Sequence, residues 1–537
     1  MFFIRMILVV GLFFNSTFVL AVENEKLFNL LDFDELVELS KTAEPAEELQ
    51  KELDFVLNNP VLDNTIAPKD IKLNNNAILG DFIRVGTWNI ARGRNLDLIK
   101  LIFTNPDEFY SKIKGKNLKE IKEQVEILKN LDILLINEAD IGMPRTGYKN
   151  IPEELAKILG FNYAFGTEFV EVDPTHLGIE KNVWSEERVL FPNGEYVVDG
   201  AKYKGLHGNV ILSRFPLKNI RIIRLTNYYD WFKHEKDKVV EVEYLRRKAA
   251  DFIFNEAIFR EIRRGSRIAL LADVEVPGVE EPLTVISVHL ENRTLPESRY
   301  KQMKELLEKI KDIKNPIVLG GDLNTTTRDG RPTTIKRELK KKITDPHFVG
   351  RQVIHALVPY ALIVSAGQTT LDIARKHNNP TVLNVPVVSP NKERRLFHII
   401  KSMKFEGGGR FDYGGQKYRA VKGHDGPLSN SNQRANLKGF VSTYNFDRDW
   451  YLGRFKLDWI FVKPCACKVV EDEDVLGRFA PFYARTLHDL NHSLCPPVSD
   501  HAPITVDLPI APPNKKEVKI RKKELKKLEE KAKSTPR

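Results

Sequence analysis

Pro316-Ile317-Val318-Leu319-Gly320-Gly321-Asp322-Leu323-Asn324 is the stretch that decides how this chain folds. A short apolar run after a proline reads as a buried strand. Its end is unsuited to a strand that only fills a core, because burial alone needs neither Asp322 nor Asn324. The same ending recurs along the chain. Phe82–Ile90 reads as a strand with Asn89 near its end, Asp132–Glu138 as a strand closed by Glu138, and Leu283–His289 as one closed by His289. Lys456–Val462 holds Asp458. Ala502–Leu508 follows Asp500 and His501, and Asn209–Arg214 opens on Asn209. Between them, apolar spacing predicts helices over Asn117–Leu131, Ile151–Leu159 and Leu295–Ile313, with Pro152 suited to a first helical turn. Strands and helices in this mixture give a layered α/β fold. Any one of these polar residues alone is a capping or core-satisfying group. Together, at equivalent strand ends, they predict one shared cleft.

Around this core the chain divides by charge. Of its 537 residues, 42% are hydrophobic and 29% charged, which excludes collagen-like, disordered and polytopic membrane classes. The formal net charge is +10. Residues 514–537 carry 11 Lys/Arg against 4 Glu, and residues 22–76 carry 5 Lys against 13 Asp/Glu. Residues 1–21, with Arg5, the apolar run Met6–Phe14 and Val19-Leu20-Ala21, read as a signal peptide cleaved before Val22, which predicts a secreted or periplasmic protein. Residues 22–80 read as an acidic helical preface and linker. Residues 81–510 read as one domain with insertions at 173–204 and 325–454, and 511–537 as a basic tail. That tail is read as a solvated helix, with contact to an anionic surface as the alternative. Three cysteines make no disulfide framework. Cys495 paired with Cys465 or Cys467, and three thiols, both remain open. A zinc site lacks a fourth ligand. No protein partner is inferred.

In order, Thr87-Trp88-Asn89-Ile90, Asn137-Glu138, the run from Gly208-Asn209 to Pro216-Leu217, His289-Leu290, Gly320-Gly321-Asp322-Leu323-Asn324, Leu457-Asp458-Trp459-Ile460-Phe461 and Ser499-Asp500-His501-Ala502-Pro503 resemble the endonuclease/exonuclease/phosphatase superfamily. That group includes pancreatic-type deoxyribonuclease, bacterial sphingomyelinases, apurinic endonucleases and inositol-polyphosphate phosphatases. The resemblance covers roughly 81–509. It implies a four-layer α/β sandwich: two mixed β-sheets face to face, flanked by helices, as in pancreatic deoxyribonuclease.

A phosphodiester is anionic and repels nucleophiles, and a divalent cation offsets that charge. Hard oxygen ligands suit Mg²⁺, with Mn²⁺ or Ca²⁺ as alternatives. Glu138 is the expected direct ligand, and the resemblance adds Asn89 and Asp500. It also implies that Asp458 orients His501. This couple is expected to activate water, with Asp322 and Asn324 holding water and phosphate in line and His289 stabilising phosphoryl charge. The alternative gives the proton to Asp322 and the phosphate to His501. Asn209 is a candidate substrate contact at the cleft rim, with a structural turn the alternative. Trp88 and Trp459 read as core residues. Two departures stand out. Ala91 occupies a position that is acidic in apurinic endonucleases, which points away from abasic-site repair, and Asn137 replaces the usual Gln before the ligand Glu.

The expected function is an exported, metal-dependent phosphoesterase acting on nucleic acid or phospholipid. A sphingomyelinase-like lipid phosphodiesterase and a non-catalytic binding protein are the alternatives. Tyr228–Phe232 is a candidate membrane-contact segment for the lipid reading, with a partly buried aromatic turn as the favoured alternative. Arg246-Arg247-Lys248, Arg263-Arg264 and Lys340–Lys342 are candidate basic contacts for the nuclease reading.

Overall fold

A computed structural model describes residues 27–66, 72–113, 117–172, 198–236, 262–325, 394–412, 417–420, 442–445, 454–465, 474–494 and 496–534. Its strands are β1 (Val61–Asp63), β2 (Asn74–Asn76), β3 (Gly80–Arg92), β4 (Ile133–Ile141), β5 (Asn162–Glu171), β6 (Leu206–Ser213), β7 (Leu217–Arg224), β8 (Arg263–Gly265), β9 (Ile268–Val274), β10 (Leu283–Val288), β11 (Ile317–Asp322), β12 (Tyr444–Asn445), β13 (Arg454–Phe455), β14 (Asp458–Lys463), β15 (Phe482–Thr486) and β16 (Ile504–Pro509).

Two mixed sheets result. The first runs β1-β5-β6-β4-β3-β16-β15, with β2 joined to β3 and β8 to β5. The second runs β14-β11-β10-β9-β7. In each sheet one central pair is parallel, β3 with β4 and β10 with β11. Parallel neighbours need crossovers, and these place helices outside. Leu96–Thr104, Leu118–Lys129 and Ile151–Leu159 cover the first sheet, burying Ile99, Val125 and Leu155. Pro296–Ile310 and Arg394–Ser402 cover the second, burying Met303, Leu306 and Ile400. Between the sheets lie Val85, Leu135, Ile211, Leu270, Val285, Val318 and Ile460. This is the four-layer sandwich expected from the sequence.

The expected helix over Ile151–Leu159 is found with those bounds. Asn150 caps it by accepting from the Glu153 amide, and left-handed Gly160 ends it. The preface holds helices Phe33–Lys41 and Glu47–Asn58, the first opened by a reciprocal Asp32–Glu35 capping box. The stretch read as linker contributes β1 and β2 to the first sheet. The segment read as a signal peptide, most of both expected insertions, Arg246–Lys248, Lys340–Lys342, Cys467 and Cys495 lie outside the described residues. Cys465 follows the end of β14.

Residues 326–393 also lie outside the described residues, but the chain on either side is anchored to the first turns of one helix. Arg299 donates to Thr325 Oγ1 at 3.1 Å, and Arg395 pairs with Glu297 at 2.5 Å.

Register brings the polar strand ends to one pole. Asn89 lies opposite Asn137, Asp322 opposite Asp458, and Ser287 opposite Gly320. Gly321 makes the close approach possible. Its φ is +148°, and a side-chain carbon there would collide with the Val288 carbonyl and lie 2.9 Å from Asn137 Oδ1. Gly321→Ala therefore lowers unfolding free energy by about 2–3 kcal/mol, a cost of overpacking added to an unfavourable backbone, measured as a shift in urea midpoint.

Candidate active site

The site is built around Asp322 Oδ2. Asn89 Nδ2 lies 3.2 Å from it, and His289 Nε2 and His501 Nε2 each lie 3.7 Å from it. The other oxygen, Oδ1, accepts from the Asn324 amide at 2.7 Å, with Asn324 in left-handed conformation at φ 47°. Asn324 Nδ2 donates to the Leu290 carbonyl at 3.0 Å. Burial raises the Asp322 pKa, and neighbouring Asp458 adds to the rise against the opposing pull of His501 and His289.

His501 Nδ1 and Asp458 Oδ2 are 2.7 Å apart, so the sequence-predicted couple is formed. Burial works against the imidazolium. Asp458, Asp322 and Asp500 outweigh it and hold the His501 pKa well above the usual histidine value. Asp322, Asp458 and His501 each offer an atom within 4.8 Å of the others. Among the described residues, Asp458 Oδ1 is buried without a hydrogen-bond partner. Trp88 and Trp459 are core residues, and both indoles brace the site: Trp88 donates to the His501 carbonyl at 2.9 Å and Trp459 to the Thr325 carbonyl at 3.0 Å.

Glu138 faces the same space. A register shift between Ile136 and Ala139, with Glu138 at φ 55°, turns its side chain out of the sheet. The carboxylate is 22% exposed and lies 3.9 Å from His289 Nε2. Among the described residues it accepts no hydrogen bond. Burial opposes its charge, but His289, Arg92, His207 and Arg267 override this and keep the carboxyl well below its usual range. Asp500 is exposed at the mouth, where Ser499 Oγ donates to it at 3.3 Å and to the Asn89 carbonyl at 2.8 Å. Asn209 is fully buried. Its Oδ1 accepts from Asn137 at 2.8 Å, and its Nδ2 lies 3.4 Å from the Ile268 carbonyl and 3.5 Å from the Ser287 carbonyl.

Asn137, read from sequence only as a replacement for Gln, and Glu168, Arg267, Arg145, Asp140 and Glu171, which sequence reading passed over, complete the site. Asn137 joins the sheets: its Nδ2 donates to Asn209 Oδ1 and to the Val288 carbonyl at 3.2 Å, and its Oδ1 accepts from the Asp322 amide at 2.8 Å. Its position just before Glu138 was the available signal. His289 Nδ1 lies 2.7 Å from Arg267 Nη1 and 3.2 Å from Glu168 Oε2. Its Nε2 faces Asp322 and Glu138. Burial opposes the Glu168 charge, but His289 and Arg267 bring its pKa down to about 2. Behind Glu138 lies a second buried cluster. Arg145 grips Asp140 at 2.5 and 3.0 Å and Glu171 at 2.7 and 3.0 Å, while His207 Nδ1 lies 2.7 Å from Asp140 Oδ1. Paired buried guanidinium and carboxylate groups fix the strand segment that carries the Glu138 turn.

Of the four sequence-predicted contact segments, two lie among the described residues, where Trp231, Phe232 and Arg263 are buried, Tyr228, Tyr229 and Arg264 are partly buried and Asp230 is exposed. Trp231 and Phe232 are 4% and 6% exposed. Arg263 stacks on Trp231 at 3.7 Å and Arg264 on Phe232 at 3.8 Å, and Arg264 Nη2 also donates to the Leu39 carbonyl at 2.8 Å.

A sequence-family profile described as "Endonuclease/Exonuclease/phosphatase family" matches residues 86–501. No curated protein matches the chain in sequence. Among solved structures, a 3'-5' exonuclease from Neisseria meningitidis is 14% identical, covering 79% of this chain and 99% of its own, at a TM-score of 0.37. The human Nocturnin catalytic domain with bound sulfate is 15% identical, covering 80% and 94%, at 0.34. An AP endonuclease from Archaeoglobus fulgidus is 13% identical, covering 79% and 98%, at 0.34.

The Asp140 cluster sets a pH dependence. Burial raises the Asp140 pKa, but Arg145 and His207 bring it down to about 2, below the ~4 of an unfolded chain. A depressed carboxyl stabilises fully above the unfolded value and loses that contribution as pH falls through the folded one. Asp140→Asn therefore lowers stability at pH 7 by about 3 kcal/mol, as breaking a buried pair does. The urea midpoints of wild type and variant then converge as pH falls from about 5 toward 3.

Proposed function

Because the chain belongs to the endonuclease/exonuclease/phosphatase family, whose members hydrolyse phosphoesters, we propose that it is an exported, divalent-metal-dependent hydrolase that cleaves a phosphodiester by attack of water. The observation that carries this reading is the convergence of Asn89, His289 and His501 on one oxygen of Asp322, with the Glu138 carboxylate alongside.

The residues present fit a hard cation. Glu138 is ionised, partly open and accepts no hydrogen bond among the described residues, and Asp500 and Asn89 offer further oxygens. These three would hold Mg²⁺, or Mn²⁺ or Ca²⁺ in its place. When bound, the cation supplies Lewis-acid neutralisation of phosphoryl charge. The buried trio of Asp322, Asp458 and His501 reads instead as a hydrogen-bonded relay, since Asp458 is committed to His501 Nδ1.

The pKa directions favour the second of the two allocations of the proton. A carboxylate with a raised pKa is the better base, so Asp322 takes the proton from water as the oxygen attacks phosphorus and the ester P–O bond breaks, the leaving alkoxide taking a proton from solvent. Held charged by Asp458, His501 donates to a phosphoryl oxygen, as does His289 through Nε2. Asn324 fixes the Asp322 carboxylate through its amide. A binding protein that had merely kept the fold would have no use for this set together. Trp231, Phe232 and Arg263 are buried and Tyr228, Tyr229 and Arg264 partly so, which favours neither phospholipid nor nucleic acid, and the substrate within the diester class is assigned by assay.

Glu138→Gln and His501→Ala are each expected to reduce hydrolysis of bis-p-nitrophenyl phosphate by roughly a hundredfold or more with circular dichroism unchanged. EDTA should abolish turnover and Mg²⁺ restore it. Full activity in either variant overturns the proposal. The same assay run over duplex and single-stranded DNA, RNA, sphingomyelin and phosphoinositides identifies the substrate, and N-terminal sequencing of exported protein tests cleavage before Val22.

A further inference from the structure

The first sheet has a second pole. Phe82 precedes Asn89 by seven residues on β3, about 23 Å along the strand, and β16 runs from Ile504 beside the cleft to Pro509 opposite Phe82. At this remote end the chain enters the helix Lys515–Ser534. Asn514 caps it, its Oδ1 accepting from the amides of Lys516 and Glu517 at 2.9 and 3.3 Å. Val518, 2% exposed, packs with Leu79, Phe82, Ala480 and Phe482. Arg521 donates to the Ile78 carbonyl at 3.2 Å, and Lys522 to the Tyr418 carbonyl at 3.2 Å and to that of Ala420. The first two turns are therefore fixed to the domain.

The remaining charge is sorted by side. At 3.6 residues per turn, Lys516, Lys519, Lys523, Lys526 and Lys527 fall within a sector about 100° wide, turned away from Val518 and about 16 Å long. All five are exposed. Acidic groups temper the row at two places, where Lys516 pairs with Asp474 at 2.6 Å and Lys526 with Glu530 at 3.7 Å. Glu517 and Glu524 lie on the other side of the helix. Ile520, 56% exposed, borders the lysines.

We infer that this lysine face docks the protein onto an anionic lipid surface and directs the catalytic cleft away from it. Charge complementarity selects a polyanion. A second copy meeting the face with its acidic preface would make the protein self-associate, which ultracentrifugation reads directly. A nucleic acid gripped here would lie at the pole opposite Asp322 and gain nothing for hydrolysis. A flat anionic surface meets a convex row of lysines bordered by an apolar side chain without obstructing the cleft. The inference is independent of the cleft's chemistry.

The test is sedimentation of the full chain with vesicles of phosphatidylcholine alone and with about one third phosphatidylserine. Binding is expected only to the second, with release as salt rises from about 0.1 to 0.5 M. The quadruple variant Lys519→Glu, Lys523→Glu, Lys526→Glu, Lys527→Glu should lose about a hundredfold or more in partitioning, the scale that surface lysines supply. Lys119→Glu with Lys122→Glu, on another helix, should bind as wild type, and both variants should hydrolyse bis-p-nitrophenyl phosphate at the wild-type rate. No binding to the anionic vesicles, or equal binding by the quadruple variant, overturns the inference. So does a lysine-dependent affinity for single-stranded DNA without vesicle binding, or self-association in ultracentrifugation that the quadruple variant abolishes.

Discussion

The amide of Asn137 pins the two sheets together at the pole where the polar strand ends meet. One side chain of the first sheet accepts from the Asp322 backbone and donates to the Val288 carbonyl, both in the second sheet, while also holding Asn209 in its own. Aliphatic contacts between the sheets are non-directional and tolerate sliding, whereas a buried amide with every partner satisfied fixes one register. Asp322, Asn89 and His289 keep their mutual distances because the sheets cannot slide at this point. Gly321 is the steric counterpart of the same constraint, since only a residue without a side chain lets β11 approach β10 so closely.

The site spends conformational energy, and the surroundings hold it in place. Ala91, Arg92, Glu138 and Asn324 all take positive φ without being glycine. Residues in such conformations persist where neighbours over-determine them. At Asn324 the neighbours are the Asp322 carboxylate and the Leu290 carbonyl. At Ala91, the amide donates to Asn89 Oδ1 at 3.0 Å. Behind Glu138 the Arg145 fork binds two carboxylates that are themselves fully buried. Strained backbone at the polar strand ends and rigid ion pairs behind them are two aspects of one arrangement.

What was legible in the sequence follows from what a single strand can reveal. A carboxylate, carboxamide or imidazole at the end of an apolar run contradicts its own surroundings, so Asn89, Glu138, His289, Asp322, Asn324, Asp458 and His501 were visible, and the resemblance of their ordered motifs to a known family tied them to one fold. Glu168, Glu171 and Arg267 were not. They lie in or beside strands whose burial on both faces arises only when the layers close, and in isolation a charged residue in such a strand reads as solvent-facing. Asn137 looked like a shortened glutamine with a local contact, because its partners come from strands that follow it by 72, 151 and 185 residues.

The anchoring of Thr325 and Arg395 to neighbouring turns of one helix has an evolutionary consequence. Chain leaves the sandwich and re-enters it at nearly the same place, so whatever lies between is a closed excursion whose ends do not depend on its length. Doubling such an excursion costs only about 0.6 kcal/mol in closure entropy. Descendants of this protein can exchange that stretch wholesale, or lengthen it, while Asp322, Asp458 and His501 stay where they are.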